Sequence, residues 1–150
     1  VSLLSRKTLY ALDAVVDIAY NARPDPVQSK DIARRQGIPQ RYLEAAMQRL
    51  VRAGVLRGVR GPRGGYRLAR ERRRISVGEV VRLLTEFEAG EETAEAGQGS
   101  ELGRRVVYPR LQAAEEEMLQ HLDQLSIEDL CREAQAAGLS GVAERADFTI

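Results

Sequence analysis

Apolar residues recur at helical spacing through the first half of the chain, interrupted once by a stretch that alternates instead. From Ser5 to about Asn21, Leu9, Leu12, Val16 and Ala19 fall on one stripe, with Arg6, Asp13, Asp17 and Asn21 away from it, which predicts an amphipathic helix. Two prolines make ARPDPVQ a loop. Ser29 then offers an N-cap, and Asp31 suits the first turn of a short helix, KDIARRQ. Gly37 can take the left-handed C-terminal position and Pro39 suits the start of the next helix. That helix is expected from about Gln40 to Ala53, with Leu43, Met47 and Leu50 inward and Gly54 ending it. The period then changes: VLRGVR and GYRLA are short strand-like runs around GPRG, a hairpin. In ISVGEVVRLLTE the helical period returns, with Ser76 and Glu79 as a capping box and Val77, Val80, Val81 and Leu84 as the buried face.

The second half is less regular. Glu86 to Glu101 is acidic, contains glycine and has no strong period, so a mobile loop is expected. From Tyr108 to Leu125 a helix carries Leu111, Ala114, Met118, Leu122 and Leu125 on one stripe, widened by Ala113 and Leu119. Pro109 limits where this helix can start, so Arg104 to Val107 is expected to be a separate turn. The stripe lacks enough partners within one chain, which points to a two-fold dimer seam, with intramolecular packing as the alternative. Ser126 and Asp129 cap a last helix, SIEDLCREAQAAG. Cys131 lies near its apolar face and reads as a buried thiol, with a redox thiol as the other reading. His121 reads as a surface or seam residue, and Glu115 to Glu117 as a solvated face. The expected boundaries are a first domain over 1–86, an acidic linker over 87–103, dimerisation helices over 104–137 and a tail over 138–150.

Charge sharpens this division. The 150 residues carry a net charge of +1, yet residues 1–86 hold 18 Lys and Arg against 8 Asp and Glu, or +10, leaving −9 for the remainder. A basic half beside an acidic half points to a polyanionic partner for the first. With 43% hydrophobic residues the chain can bury a core. No uncharged apolar run approaches the roughly 18–20 residues of a membrane span. The start has no signal-peptide layout, so a cytoplasmic location is expected. One Cys and one His make no internal disulfide and leave too few ligands for a zinc site in one chain.

Two short helices around a Gly-Ile-Pro turn form a helix-turn-helix pattern, and the hairpin after them makes it a winged one. Arg57, Arg60, Arg63, Arg67, Arg70, Arg72, Arg73 and Arg74 crowd the wing and its exit, as a surface that lies against phosphate would require; a solvated basic loop is the alternative. The predicted architecture is mainly α: a winged helix-turn-helix domain with a two-stranded wing, followed by a long dimerisation helix. Arg41, Glu44 and Gln48 lie at i, i+3 and i+7, opposite the inward Leu43, Met47 and Leu50. Glu44 can accept from a cytosine amino group, or be a solvated charge or a partner of Arg41. Arg41 can donate to guanine or phosphate.

RKTLYALDAVVDIA, KDIARRQGIPQRYLEAAMQRLVRAGVLRGVRGPRGGYRLAR and ISVGEVVRLL resemble the bacterial winged-helix regulators that include IscR, NsrR and CymR, over roughly residues 3–85. The resemblance implies a dimeric transcription regulator that binds promoter double-stranded DNA. By position it places Gln40, Arg41, Tyr42, Glu44 and Ala45 on the DNA, with Arg60 entering the minor groove. The wing tip, with Gly61, Arg63 and Gly64, completes the candidate DNA contacts; Arg63 stands where the family usually has glycine, and either meets phosphate or minor groove or projects into solvent. Tyr66 is expected to pack under the wing. Some members of the family sense through an iron–sulfur cluster held by three cysteines in the segment matching the acidic linker. None is present there, and Arg105 stands at the position resembling their histidine ligand, so no metal and no cofactor is expected.

The first reading is therefore a homodimeric, sequence-specific repressor on a palindromic operator, with the protein or small-molecule effector left open. A winged module docking a metabolic enzyme or another protein is the alternative, since fold alone does not fix function. No Ser/His/Asp set, Cys/His set or phosphate-binding glycine loop supports an enzyme.

Overall fold

The computed structural model describes residues 5–21, 25–96 and 99–139, the side chains of 87–96 excepted. Helix α1 spans Arg6–Asn21, α2 Ser29–Gln36 and α3 Gln40–Arg52; strands β1 Leu56–Val59 and β2 Gly65–Leu68 follow, then α4 Val77–Ala96, α5 Tyr108–Asp123 and α6 Ile127–Ala136. Helix α1 is the hub, packing against α2, α3, α4, α6 and β2.

The buried face of α1 is not the expected one. Thr8, Ala11, Ala14, Val15, Asp17 and Ile18 face inward, whereas Leu9 is 44% exposed and Leu12, Val16 and Ala19 are only half-buried. The reason is Asp17. Its side chain is fully buried and accepts two bonds from Arg35, Nη2 at 2.6 Å and Nε at 3.0 Å, and one from Gln36 Nε2 at 2.8 Å. A carboxylate so paired turns inward, and the small residues beside it let α2 and α3 approach closely. Hydrophobic periodicity does not register a buried ion pair.

The helix-turn-helix forms as expected. Gln28, rather than Ser29, occupies the N-cap position of α2, and Gly37 ends that helix at φ 65°. Leu43, Met47 and Leu50 are fully buried and fix the inner side of α3. In the wing, β1 and β2 pair antiparallel with Leu56 opposite Leu68, Arg57 opposite Arg67, Gly58 opposite Tyr66 and Val59 opposite Gly65. Val27 adds a third edge, exchanging backbone bonds of 3.0 and 2.8 Å with Tyr66. That edge comes so close that a Cβ on Gly65 would lie 2.4 Å from the Val27 carbonyl oxygen, and within the hairpin a Cβ on Gly64 would lie 2.2 Å from the Val59 carbonyl oxygen. Glycine is required at both places.

Val77, Val80, Val81 and Leu84 bury the first two turns of α4. Ser76 Oγ accepts from the Glu79 amide at 3.0 Å, but the Glu79 carboxylate binds Arg70. Where a loop was expected from Glu86, the backbone of α4 stays helical to Ala96. Glu and Ala are strong helix formers, and their propensity outweighs the glycine and the acidity of this stretch. Residues 97 and 98 of the expected linker lie outside the described residues, as do 140–150 of the expected tail. Arg104 to Val107 is no separate turn either. Gly103–Val107 is a π-helical turn that runs into α5, with the Tyr108 amide donating to the Gly103 carbonyl. A widened turn accommodates Pro109, which has no N–H to give.

Ser126 and Asp129 form the complete capping box of α6. The turn before it is stitched to the start of α4 by Val77 N–H to Leu125 O at 2.8 Å and Ile127 N–H to Ile75 O at 2.9 Å. Cys131 is 2% exposed, and burial pushes its thiol up, against the opposing pull of Arg72. The redox reading of Cys131 loses its support here, because a reactive thiol needs access and thiolate character. Among the described residues no helix is long and apolar enough to cross a membrane.

Arg35→Ala leaves the Asp17 carboxylate buried with Gln36 alone, so urea unfolding is expected to lose about 3 kcal/mol. A loss below about 1 kcal/mol would contradict the role given to this pair. Alkylation of Cys131 by iodoacetamide is expected to be slow in the native protein and fast in urea; equal rates would show that the thiol is not shielded.

Candidate nucleic-acid interface

The outward side of α3 is a polar face. Arg41, Glu44, Ala45 and Gln48 are exposed there, and Gln40 is exposed at the first turn. Glu44 takes a bond from Gln40 Nε2 at 3.3 Å, one turn back. Tyr42 is also among the residues that the resemblance places on the DNA. It is half-buried, its hydroxyl donates to the Lys7 carbonyl at 2.9 Å, and its ring stands 6.3 Å from that of Tyr10. Its position on the helix turns it toward α1, where it joins α3 to α1.

The wing lies along one edge of this face. One open groove runs between Gln28, Lys30, Gln40 and Gly61, and another between Gln48, Val51 and Arg60. Gln28 Nε2 reaches the Pro62 carbonyl at 3.5 Å. At the tip Arg60, Gly61 and Arg63 are exposed, with Gly61 at φ 112° and the Gly64 amide closing the turn onto the Gly61 carbonyl at 2.9 Å. Gly64 itself is buried, so its part is to shape the tip rather than to touch a ligand. Tyr66 is half-buried beneath the wing, as expected.

The arginine tract divides in two. Arg57, Arg60 and Arg63 point outward, and Arg57 sits directly across the ladder from Arg67. Like charges in that register oppose folding and are relieved by a polyanion. Arg70 and Arg72 are tied into the body of the chain. Arg70 donates to the Gly54 and Arg74 carbonyls, each at 3.4 Å, and to Glu79 at 2.5 Å. Arg73 pairs with Glu71 at 2.6 Å, and Arg72 lies 3.9 Å from Glu128 of α6. Arg70 and Arg72 thus already have acidic partners on other elements, while Arg73 and Arg74 stay exposed beside the wing.

The expected seam on α5 also divides. Leu111 is 46% exposed and Ala114 is exposed, but Met118, Leu122 and Leu125 are half-buried against the chain's own core beside buried Leu119. The outer half of α5 and the turn before it add Leu102, Val106, Val107 and Tyr108 to the exposed apolar surface. The recurrence of Val107 and Leu111 at i and i+4 was the signal for this extension. Arg82 ties the inner half of α5 to α4, binding Glu116 at 3.0 and 3.1 Å and Asp123 at 2.9 and 3.4 Å. Those bonds hold the Glu116 carboxyl below its ordinary value.

The residues present do not fit an iron–sulfur cluster, which needs several thiolates. The one cysteine, Cys131, is buried on α6, and Arg105 pairs with Glu101 at 2.9 Å. Among the described residues no group of three His, Cys, Asp or Glu side chains is placed to hold an ion.

Comparison with known proteins agrees with this geometry. The Rrf2 family, described as iron-dependent transcriptional regulators, matches residues 4–133. The transcriptional regulator IscR of Cronobacter sakazakii is 43% identical over 83 residues, 55% of this chain and 51% of that protein, and IscR of Escherichia coli O9:H4 has the same identity and coverage. The chain thus spans about half the length of the curated relatives it matches. Among solved structures, T. potens IscR is 30% identical with a TM-score of 0.70, covering 95% of each chain. CymR, the global cysteine regulator of B. subtilis, is 29% identical with a TM-score of 0.63, covering 87% of this chain and 96% of that one. With most of its length matched and the fold shared throughout, this chain belongs to the Rrf2 family of transcriptional regulators.

Proposed function

We propose that the chain is a sequence-specific DNA-binding transcription regulator, a repressor, that works as a homodimer on a palindromic operator in the cytoplasm. The observation that carries this reading is the placement of the exposed α3 face beside a wing whose tip presents Arg60 and Arg63. A helix of this size fits the major groove, where Arg41, Glu44 and Gln48 can reach base edges and Ala45 a thymine methyl. Gln40 steadies Glu44 from the preceding turn. Arg60 then enters the adjoining minor groove, while Arg57 and Arg63 meet phosphates. Gly61 and Gly64 supply the backbone shape of the tip.

A palindrome calls for a two-fold protein, and the outer half of α5 supports one. Exposed Leu111 on α5 and Val107 in the turn before it lie beside Arg110 near the start of the helix, with Glu115 and Glu117 further along it. Two copies running antiparallel set unlike charges against each other, which favours this pairing over a parallel one. One buried thiol per chain does not supply the thiolates that an iron–sulfur cluster needs, so the regulator works without that group.

Sequences recovered by the purified protein from a genomic fragment library are expected to share a two-fold motif, bound with a steep fall in affinity as salt rises. Arg60→Ala should weaken binding to that motif by about 1–3 kcal/mol and relax preference at one position per half-site. Unchanged affinity and preference would remove Arg60 from the interface. Leu111→Glu should give a monomer by light scattering with a near wild-type melting temperature; a wild-type protein that is itself monomeric would refute the dimer.

A further inference from the structure

The wing guards only one edge of the recognition helix, and the opposite edge carries its own cations. Gln40 and Val51 border the exposed face of α3 on the wing side, beside Gly61 and Arg60. At about 100° per residue, Tyr42 projects about 200° around the helix from Gln40, on the far edge. There it meets the first turn of α1. The Tyr42 hydroxyl holds the Lys7 carbonyl at 2.9 Å, and Lys7 Nζ lies 5.8 Å from the centre of the Tyr42 ring.

This turn of α1 is anchored. Ser5 Oγ accepts from the Thr8 amide at 3.1 Å and lies 3.0 Å from the Thr8 hydroxyl, and Thr8 is 1% exposed. Arg6 and Lys7 themselves are exposed, and no acidic residue shares the first turn. Lys7 thus stands one side chain away from the start of the recognition helix, across it from the wing, with Arg6 exposed next to it in the same turn.

We propose that Arg6 and Lys7 bind backbone phosphates of DNA, on the strand bordering the groove opposite the one under the wing. The inference rests on the DNA-binding reading above and adds a third contact to it. A helix seated in a groove about 12 Å wide has a phosphate backbone on either side. The wing meets one of these and the anchored turn of α1 the other, so the two clamps fix the helix in the groove from both flanks. Such contacts set register and supply affinity without reading bases. Tyr42 takes a positioning role: it ties the cationic turn to the helix it flanks.

The test uses the full chain and two fluorescent duplexes, one with the motif that wild-type protein selects from a random pool and one scrambled. The double variant Arg6→Ala/Lys7→Ala should weaken binding to both by a similar factor, at least roughly tenfold near physiological salt. It should also make the plot of log affinity against log salt shallower by about two. The charge-preserving pair Arg6→Lys/Lys7→Arg should restore both quantities, which a purely structural role for these side chains would not predict. Should the alanine pair fail to fold, Arg6→Gln and Lys7→Gln separately are each expected to flatten the plot by about one. Wild-type affinity and slope in a folded alanine pair would overturn the inference while leaving the DNA-binding reading intact. A wild-type chain whose binding to either duplex ignores salt would overturn both.

Discussion

The carboxylate of Asp17 sets the geometry on which everything else stands. Removing a charge from water is costly, and here the cost is offset by two bonds from Arg35 and one from Gln36, which also fix where α2 lies against α1. Because α2 leads into α3 through the short turn at Gly37, the angle of the recognition helix follows from that attachment. Apolar packing alone has no comparable directionality. Leucine against leucine tolerates a shift that a bidentate guanidinium does not.

Arginine serves three purposes in this chain, and burial sorts them. Arg35 completes the core. Arg70 and Arg82 join elements at the surface, the first tying the end of α3 to the start of α4, the second tying α4 to α5. Arg57, Arg60 and Arg63 project from the wing into solvent. A net charge of +1 for the whole chain is compatible with a strongly electropositive face because the acidic residues collect elsewhere. Arg82 shows how the two regions meet: it takes up part of the acidity of α5 and so keeps that helix against the winged domain.

Much of this architecture was legible in the residues themselves. The Gly-Ile-Pro turn, the alternation around GPRGGY and the Ser126 cap are local devices, and each forms where its residues place it. The exposure of Arg41, Glu44 and Gln48 on α3 also followed from spacing, whereas the bond from Tyr42 to Lys7, 35 residues away, did not. Long-range pairing explains the other departures too. The inward face of α1 depends on Arg35, and the fate of the arginine tract on Glu79 and Glu128, none of which a local window contains. The extension of α4 to Ala96 has a different origin: a run of Glu and Ala looks like a linker by polarity and like a helix by propensity, and here propensity prevails.

The construction of the wing also bears on how such a protein changes its target. Gly64 and Gly65 have no room for a side chain, and Val27 clamps the returning strand from the outside, so the frame of the hairpin is indifferent to what its tip carries. Arg60 and Arg63 stand on that frame with few neighbours to satisfy. Both are exposed, so their replacement disturbs no packing. The tip is in this sense an exchangeable part, free to drift toward a new operator while the fold beneath it stays under constraint.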